Sequence, residues 1–341
     1  MLYPLTFHPI FKERVWGGRK LERLYKKNLP PRVSIGESWE ISDRPDDASI
    51  VASGPFAGKD LHWLMENHAR ELLGNAKPAA GNRFPLLCKI LDAREKLSLQ
   101  VHPPAAKAAG LGGEPKTEMW FIADAAPDAE LFAGLKRGVT RAEFAEKIQT
   151  GEAAGCCHRI PVHAGDAMFL PGGRVHTIGA GLVIFEIQQN SDTTYRVFDW
   201  NRVGLDGKPR ELHVAESLAS IDFSDFEPAL VQGTFAGNEI KTRPLVKDPL
   251  FNVEAVEMKS GAGGLLKPKE LQIVAVTAGE VEIKSGLERG RLVRESRVMR
   301  RADKPSALLL SAGQFCLIPA CLEQVEISAK AGAMFLRVEA N

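Results

Sequence analysis

Two histidines, a glutamine and a glutamate stand where their types and spacing suit a divalent metal ion. In Leu97-Ser-Leu-Gln100-Val-His102, apolar and polar residues alternate. On a strand, Ser98, Gln100 and His102 would share one face, leaving Leu97, Leu99 and Val101 to be buried on the other. Lys116-Thr-Glu118 opens the apolar run Met119-Trp-Phe-Ile122, placing a carboxylate at a strand entrance. Gly165-Asp-Ala-Met-Phe-Leu-Pro171-Gly-Gly173-Arg-Val-His176 reads as a turn, a short strand, a second tight turn and a histidine entering the next strand. Two imidazoles with amide and carboxylate oxygens suit zinc, and also iron, manganese or nickel. With no thiolate among them and room for water, the set reads as catalytic rather than structural. Singly, each residue has a plainer use. Glu118 could be a surface carboxylate, Gln100 a core hydrogen-bonding group, and a buried histidine a satisfied core residue.

The elements that must position these residues are short. Runs such as Phe84–Leu91, Leu182–Ile187, Leu271–Val276 and Ala333–Val338 are apolar and rich in β-branched or aromatic residues, and Gly and Pro punctuate them steadily. Many short strands at that spacing predict a β-sandwich or jelly roll. The Gly165-to-His176 spacing fits the cupin pattern of Gly, five residues, Pro, one residue, Gly, two residues and His. The fold expected is therefore mainly β: a cupin jelly-roll β-sandwich with a few covering helices, plus a smaller C-terminal β-domain. Helices are predicted after Asp60, with Leu61, Leu64, Met65, His68 and Leu72 on one face and Gly74 as the stop. A capping box at Thr140-Arg-Ala-Glu143 predicts a second, and 214–220 a third. Periodicity weakens from 223 to 247. This divides the chain into a catalytic metal-binding domain with helical insertions over 1–225 and a metal-free, cupin-like β-domain over 240–341. In the latter, Gly313-Gln-Phe-Cys-Leu-Ile-Pro319 echoes the turn without a histidine after it, and 288–301 reads as a charged, solvated hairpin or loop.

A formal net charge of +1 over 341 residues gives no reason to expect nucleic acid or an anionic membrane as partner. No apolar run approaches the roughly 20 residues of a spanning helix. The N-terminus lacks the layout of a leader peptide, and the 5 cysteines form neither a CxxC nor an even set. The expectation is a cytoplasmic protein with reduced thiols.

Several segments together resemble type I mannose-6-phosphate isomerases in their short bacterial form. They are Trp16-Gly-Gly, Gly36-Glu-Ser-Trp-Glu40, Ser98-Leu-Gln-Val-His-Pro103, Lys116-Thr-Glu-Met119, His176-Thr, and the stretch Gln189-Asn-Ser-Asp-Thr-Thr-Tyr-Arg-Val-Phe-Asp-Trp-Asn-Arg202. The resemblance runs from the first residues to about Glu216, and more loosely beyond. It implies interconversion of mannose 6-phosphate and fructose 6-phosphate through an enediol, with one Zn2+ per chain held by Gln100, His102, Glu118 and His176. Glu118 follows His102 at more than the usual cupin spacing, and the family carries an insertion there. The resemblance also implies an active-site arginine at Arg196, a nearby carboxylate at Glu186, the candidate base, and a basic residue at Lys116 for proton transfer or phosphate. Ser98 and Arg202 become candidate phosphate contacts, and Trp16 a pocket residue. Glu186 could instead be a strand carboxylate paired with Arg196 as a hairpin neighbour. The expected partner is a hexose 6-phosphate, and the expected assembly a monomer or weak homo-oligomer. Another cupin sugar-phosphate isomerase, such as one for glucose 6-phosphate, and a non-catalytic sugar-binding cupin are the competing readings.

Overall fold

The computed structural model describes residues 1–285 and 307–341, so the charged stretch 288–301 lies outside the described residues. The chain forms two compact units. One comprises Pro9–Ser49 and Ala79–Gln232 and contains every candidate site residue; the other comprises Met1–His8, Ile50–Pro78 and Gly233–Asn341. Residues 1–8 and 50–78, which the sequence division at 225–240 leaves in the catalytic domain, thus belong with the C-terminal part.

The site-bearing unit is a sandwich of two antiparallel sheets. The six-stranded sheet runs, in spatial order, Ile10–Gly18, Ile35–Ile41, Leu86–Ala93, Leu182–Gln189, Glu118–Ala125 and Ala167–Leu170. The five-stranded sheet runs Tyr195–Phe198, Leu99–Val101, His176–Ile178, Glu130–Leu135 and Cys157–Pro161. Trp16, Leu91, Ile122, Leu131, Ile178 and Ile184 belong to one apolar core. A second core, with Leu99, Val101, Phe144, Ile148 and Val197, gathers the other face of the five-stranded sheet and the helix Arg141–Gln149. Leu86–Ala93 is buried along its whole length, which is why it reads as a continuous apolar run rather than an alternating one. The two charges in that run, Lys89 and Asp92, are buried with it.

The other unit also pairs two antiparallel sheets, of six and four strands among the described residues. The three helices expected from the sequence form. In Leu61–Leu73, the Asp60 carboxylate accepts from Trp63 N at 2.7 Å, and Leu61, Leu64, Met65 and Leu72 are buried. Its last carbonyls are met from far along the chain: Cys321 N donates to Glu71 O, Ala320 N to Leu72 O and Leu271 N to Leu73 O. Thr140 caps Arg141–Gln149 by accepting from Glu143 N at 3.2 Å, and the third helix is Val214–Ser220.

Candidate active site

The two sheets contribute different members of the buried cluster. His102 directly follows Leu99–Val101, and His176 begins the neighbouring strand opposite Gln100. The tight turn before His176 locks the two imidazoles together. Gly173, at φ 99°, donates its N–H to His102 O at 2.8 Å. A Cβ on Gly172 would lie 2.8 Å from Pro104 Cα, so only glycine allows that approach. Glu118 arrives from the six-stranded sheet, paired with Leu170 and Gln188.

His102, Glu118 and His176 offer ligand atoms that all lie within 4.8 Å of one another. His102 Nε2 is 3.5 Å from Glu118 Oε2, and His176 Nε2 is 3.4 Å from Glu118 Oε1. Each ring is oriented through its other nitrogen: His102 Nδ1 lies 2.8 Å from Thr193 O, and His176 Nδ1 2.9 Å from Arg174 O. A carbonyl can only accept, so each Nδ1 carries the proton and each Nε2 lone pair faces the carboxylate. Burial, then the neighbouring Lys116 charge, pushes the His102 pKa down to about 4. Burial likewise lowers that of His176. Both rings are therefore neutral near pH 7, the form that binds metals.

The Glu118 oxygens are fully buried, and Lys116 Nζ pairs with Oε2 at 2.9 Å. The Lys116 ammonium, also 3.1 Å from His102 Nε2, meets that charge from one side, and a metal ion among the three donors would meet it from the other. The donor set fits a divalent ion. Gln100 stands next to it, with Nε2 3.3 Å from His176 Nε2; a metal bond through Oε1 would require the amide turned over.

Gln100 and Lys116 connect this cluster to a cavity of about 550 Å³, whose lining also includes Trp16, Ser98, Glu186 and Arg196. A row of side chains crosses one sheet beside it. Trp120, Glu186, Lys89 and Trp39 occupy directly opposed positions on four neighbouring strands. Glu186 Oε2 accepts from Trp120 Nε1 at 2.9 Å, and its Oε1 is 3.3 Å from Lys89 Nζ. Glu186 is therefore the partner of Lys89. It is not the hairpin neighbour of Arg196, which lies in the other sheet opposite Gln100.

Lys89 is also 3.7 Å from Glu37, which accepts from Arg14 Nε and Trp39 Nε1, each at 2.7 Å. Burial alone would raise the Glu37 carboxyl, but Arg14, Lys89 and these hydrogen bonds outweigh it and bring it to about 2. A carboxyl held that low in the folded state stabilises the fold fully above its ordinary value of 4.5, and the contribution is lost as pH falls through 2. Glu37→Gln should therefore melt below wild type at pH 7. The gap should close between about pH 4.5 and 2, as followed by thermal unfolding. A gap that stays constant over that range would exclude an ionised, stabilising Glu37.

Of the residues expected from the sequence outside the His102–Glu118–His176 cluster, Arg202 alone stands off the cavity lining. Its guanidinium bonds Asp199 Oδ1 through Nε at 2.9 Å and Lys96 O through Nη1 at 2.6 Å. Arg210 lines the cavity in that region instead. Lys89, Trp120, Glu37 and Arg14 also line it and were not singled out as candidates. Lys89 did leave a trace in the sequence, as the single cation in the apolar run Phe84–Leu91. Trp120 left none, since an indole in an apolar strand reads as core.

A family model for the catalytic domain of type I phosphomannose isomerase matches residues 5–115. The mannose-6-phosphate isomerase ManA of Bacillus subtilis (strain 168) is 37% identical over 285 residues, covering 83% of this chain and 88% of its own. The chain belongs to the type I phosphomannose isomerase family. The mannose-6-phosphate isomerase of Streptococcus mutans, another relative, is 36% identical over 290 residues, or 84% of this chain and 89% of its own. The crystal structure of the Bacillus subtilis mannose 6-phosphate isomerase superimposes with a TM-score of 0.84 at 30% identity, spanning 99% of this chain and 100% of that one. The apo enzyme of Salmonella typhimurium, at 17% identity and a TM-score of 0.72, shares the fold. Among the described residues, no helix is long and apolar enough to cross a membrane.

Proposed function

We propose that this protein is a cytoplasmic, zinc-dependent isomerase interconverting D-mannose 6-phosphate and D-fructose 6-phosphate. The observation that carries this reading is the convergence of two neutral imidazoles on the buried Glu118 carboxylate, beside a cavity that also holds Glu186 and Arg196. Family membership supports the substrate. A cavity of about 550 Å³ is within the range that small-molecule sites occupy.

The reaction moves a proton from C2 of the aldose to C1 of the ketose through an enediol. Glu186 is the base. The Trp120 indole and the Lys89 ammonium hold its oxygens, so the carboxylate is fixed before substrate arrives. Arg196 shares the negative charge that develops on the sugar oxygens. Lys116, buried between His102 and Glu118, is placed to relay a proton or to hold a sugar oxygen. Ser98 and Trp16 orient the hexose from the cavity wall. Zinc, held by His102, Glu118 and His176 with Gln100 as a further oxygen donor, would supply Lewis-acid polarisation of the sugar carbonyl.

The test is turnover of fructose 6-phosphate, read by an assay that resolves mannose 6-phosphate from glucose 6-phosphate, before and after chelation. The expected result is mannose 6-phosphate, lost on stripping and restored by Zn2+. Glucose 6-phosphate as product would replace the substrate assignment. Undiminished turnover by fully stripped protein would remove the metal.

A further inference from the structure

Three guanidinium groups gather at one end of the cavity around a single buried carboxylate. Asp199 is 4% exposed and accepts from two of them. Arg210 engages it in a two-pronged pair, Nε to Oδ2 at 2.6 Å and Nη2 to Oδ1 at 2.6 Å. Arg202 bonds the same Oδ1 at 2.9 Å. The third, Arg196, donates through Nη1 to the Glu211 carbonyl at 2.7 Å, while its Nε is buried without a hydrogen-bond partner. Arg210 and Arg202 both depress the pKa of Arg196, after burial itself, so the three cations feel one another. Asp206 stands on the same cavity wall, with one oxygen accepting from its own loop at Lys208 N. The charges that act on Arg196 are thus the Arg210 and Arg202 guanidiniums and the Asp199 and Glu211 carboxylates.

The loop that carries Arg210 is itself unusual. Trp200 and Asn201 both take left-handed backbone conformations, at φ 57° and 53°, and start it in a fixed direction. The turn closes on itself through Gly204 N to Lys208 O at 2.7 Å. Leu205, 61% exposed, nevertheless lines the cavity along with Gly204, Asp206 and Arg210. A two-pronged guanidinium is shaped to bind a carboxylate or a phosphate equally well.

We propose that Arg210 is a phosphate-recognising residue, that Asp199 occupies its fork until substrate arrives, and that the substrate phosphate then takes it over, drawing the Val203–Arg210 turn onto the sugar. This rests on the hexose-phosphate reading above and names which residue selects the phosphorylated sugar. Asp199 is then a competitor for the same guanidinium, so its removal strengthens anion binding.

The experiment measures inorganic phosphate binding to the zinc-loaded protein by calorimetry, together with KM and kcat for fructose 6-phosphate. For Arg210→Met, phosphate affinity should fall about tenfold to a hundredfold, the worth of one charge-assisted pair. KM should rise in step while kcat changes little. Arg210→Lys should recover only part of the affinity, and Asp199→Asn should bind phosphate more tightly than wild type. Phosphate bound as tightly by Arg210→Met as by wild type overturns the proposal, whether or not Asp199→Asn folds. Because phosphate binding is read without turnover, a protein that binds phosphate through Arg210 yet isomerises no hexose phosphate would sink the enzymatic reading and leave this one standing.

Discussion

His176→Ala should lower kcat/KM for fructose 6-phosphate by at least about a thousandfold, because a metal centre supplies several kcal/mol of charge stabilisation. The Arg174 carbonyl holds the His176 ring with Nε2 facing Glu118. With the imidazole gone, Glu118 and His102 remain as two donors, and Gln100 loses the nitrogen it lies against. Zinc content after dialysis against a weak chelator should fall together with activity. Full zinc occupancy with full activity in the variant would place the metal elsewhere. Circular dichroism separates metal loss from unfolding, since the ring is buried and its deletion carries a packing cost of its own.

Glu186→Gln should reduce kcat by about a hundredfold to ten-thousandfold with KM within a few-fold, the signature of a lost general base. The amide keeps the volume and can still accept from the Trp120 indole, but it cannot take a proton from carbon. Exchange of the sugar's C1 and C2 hydrogens with deuterated solvent should vanish in parallel. If kcat holds and only the melting temperature drops, Glu186 is the counter-ion of Lys89, and the base must be sought elsewhere around the cavity.

The strands that bring His102 and His176 together were legible in the sequence because their geometry is set locally. Alternation fixes Ser98, Gln100 and His102 to one face, and the Pro171-Gly-Gly turn fixes where His176 begins. The cluster's closure depends on Glu118 arriving from the opposite sheet, which spacing alone does not determine. The Trp120–Glu186–Lys89–Trp39 row was not legible for the same reason. Its members come from four strands whose neighbour order is set by topology, and each strand looks self-sufficient. Arg202 and Arg210 show the limit at a finer scale. Both are basic residues of a turn-rich segment, and only the backbone path through Trp200 and Asn201 decides which of them faces the cavity. The discontinuous unit was hidden too, since the Leu61–Leu73 helix carries an ordinary amphipathic pattern that says nothing about which sheet it will serve.

A ribosome delivers that unit in three instalments, Met1–His8, Ile50–Pro78 and finally Gly233–Asn341. The Leu61–Leu73 helix emerges early, but Leu271, Ala320 and Cys321, whose N–H groups close its final turn, come near the end. At about 5–20 residues per second, the helix waits on the order of ten seconds to a minute with its apolar face ungathered. The newborn chain thus carries a sticky segment for most of its synthesis. A stop codon after Gln232 would make that state permanent, yielding a chain prone to aggregate rather than a minimal catalytic fragment.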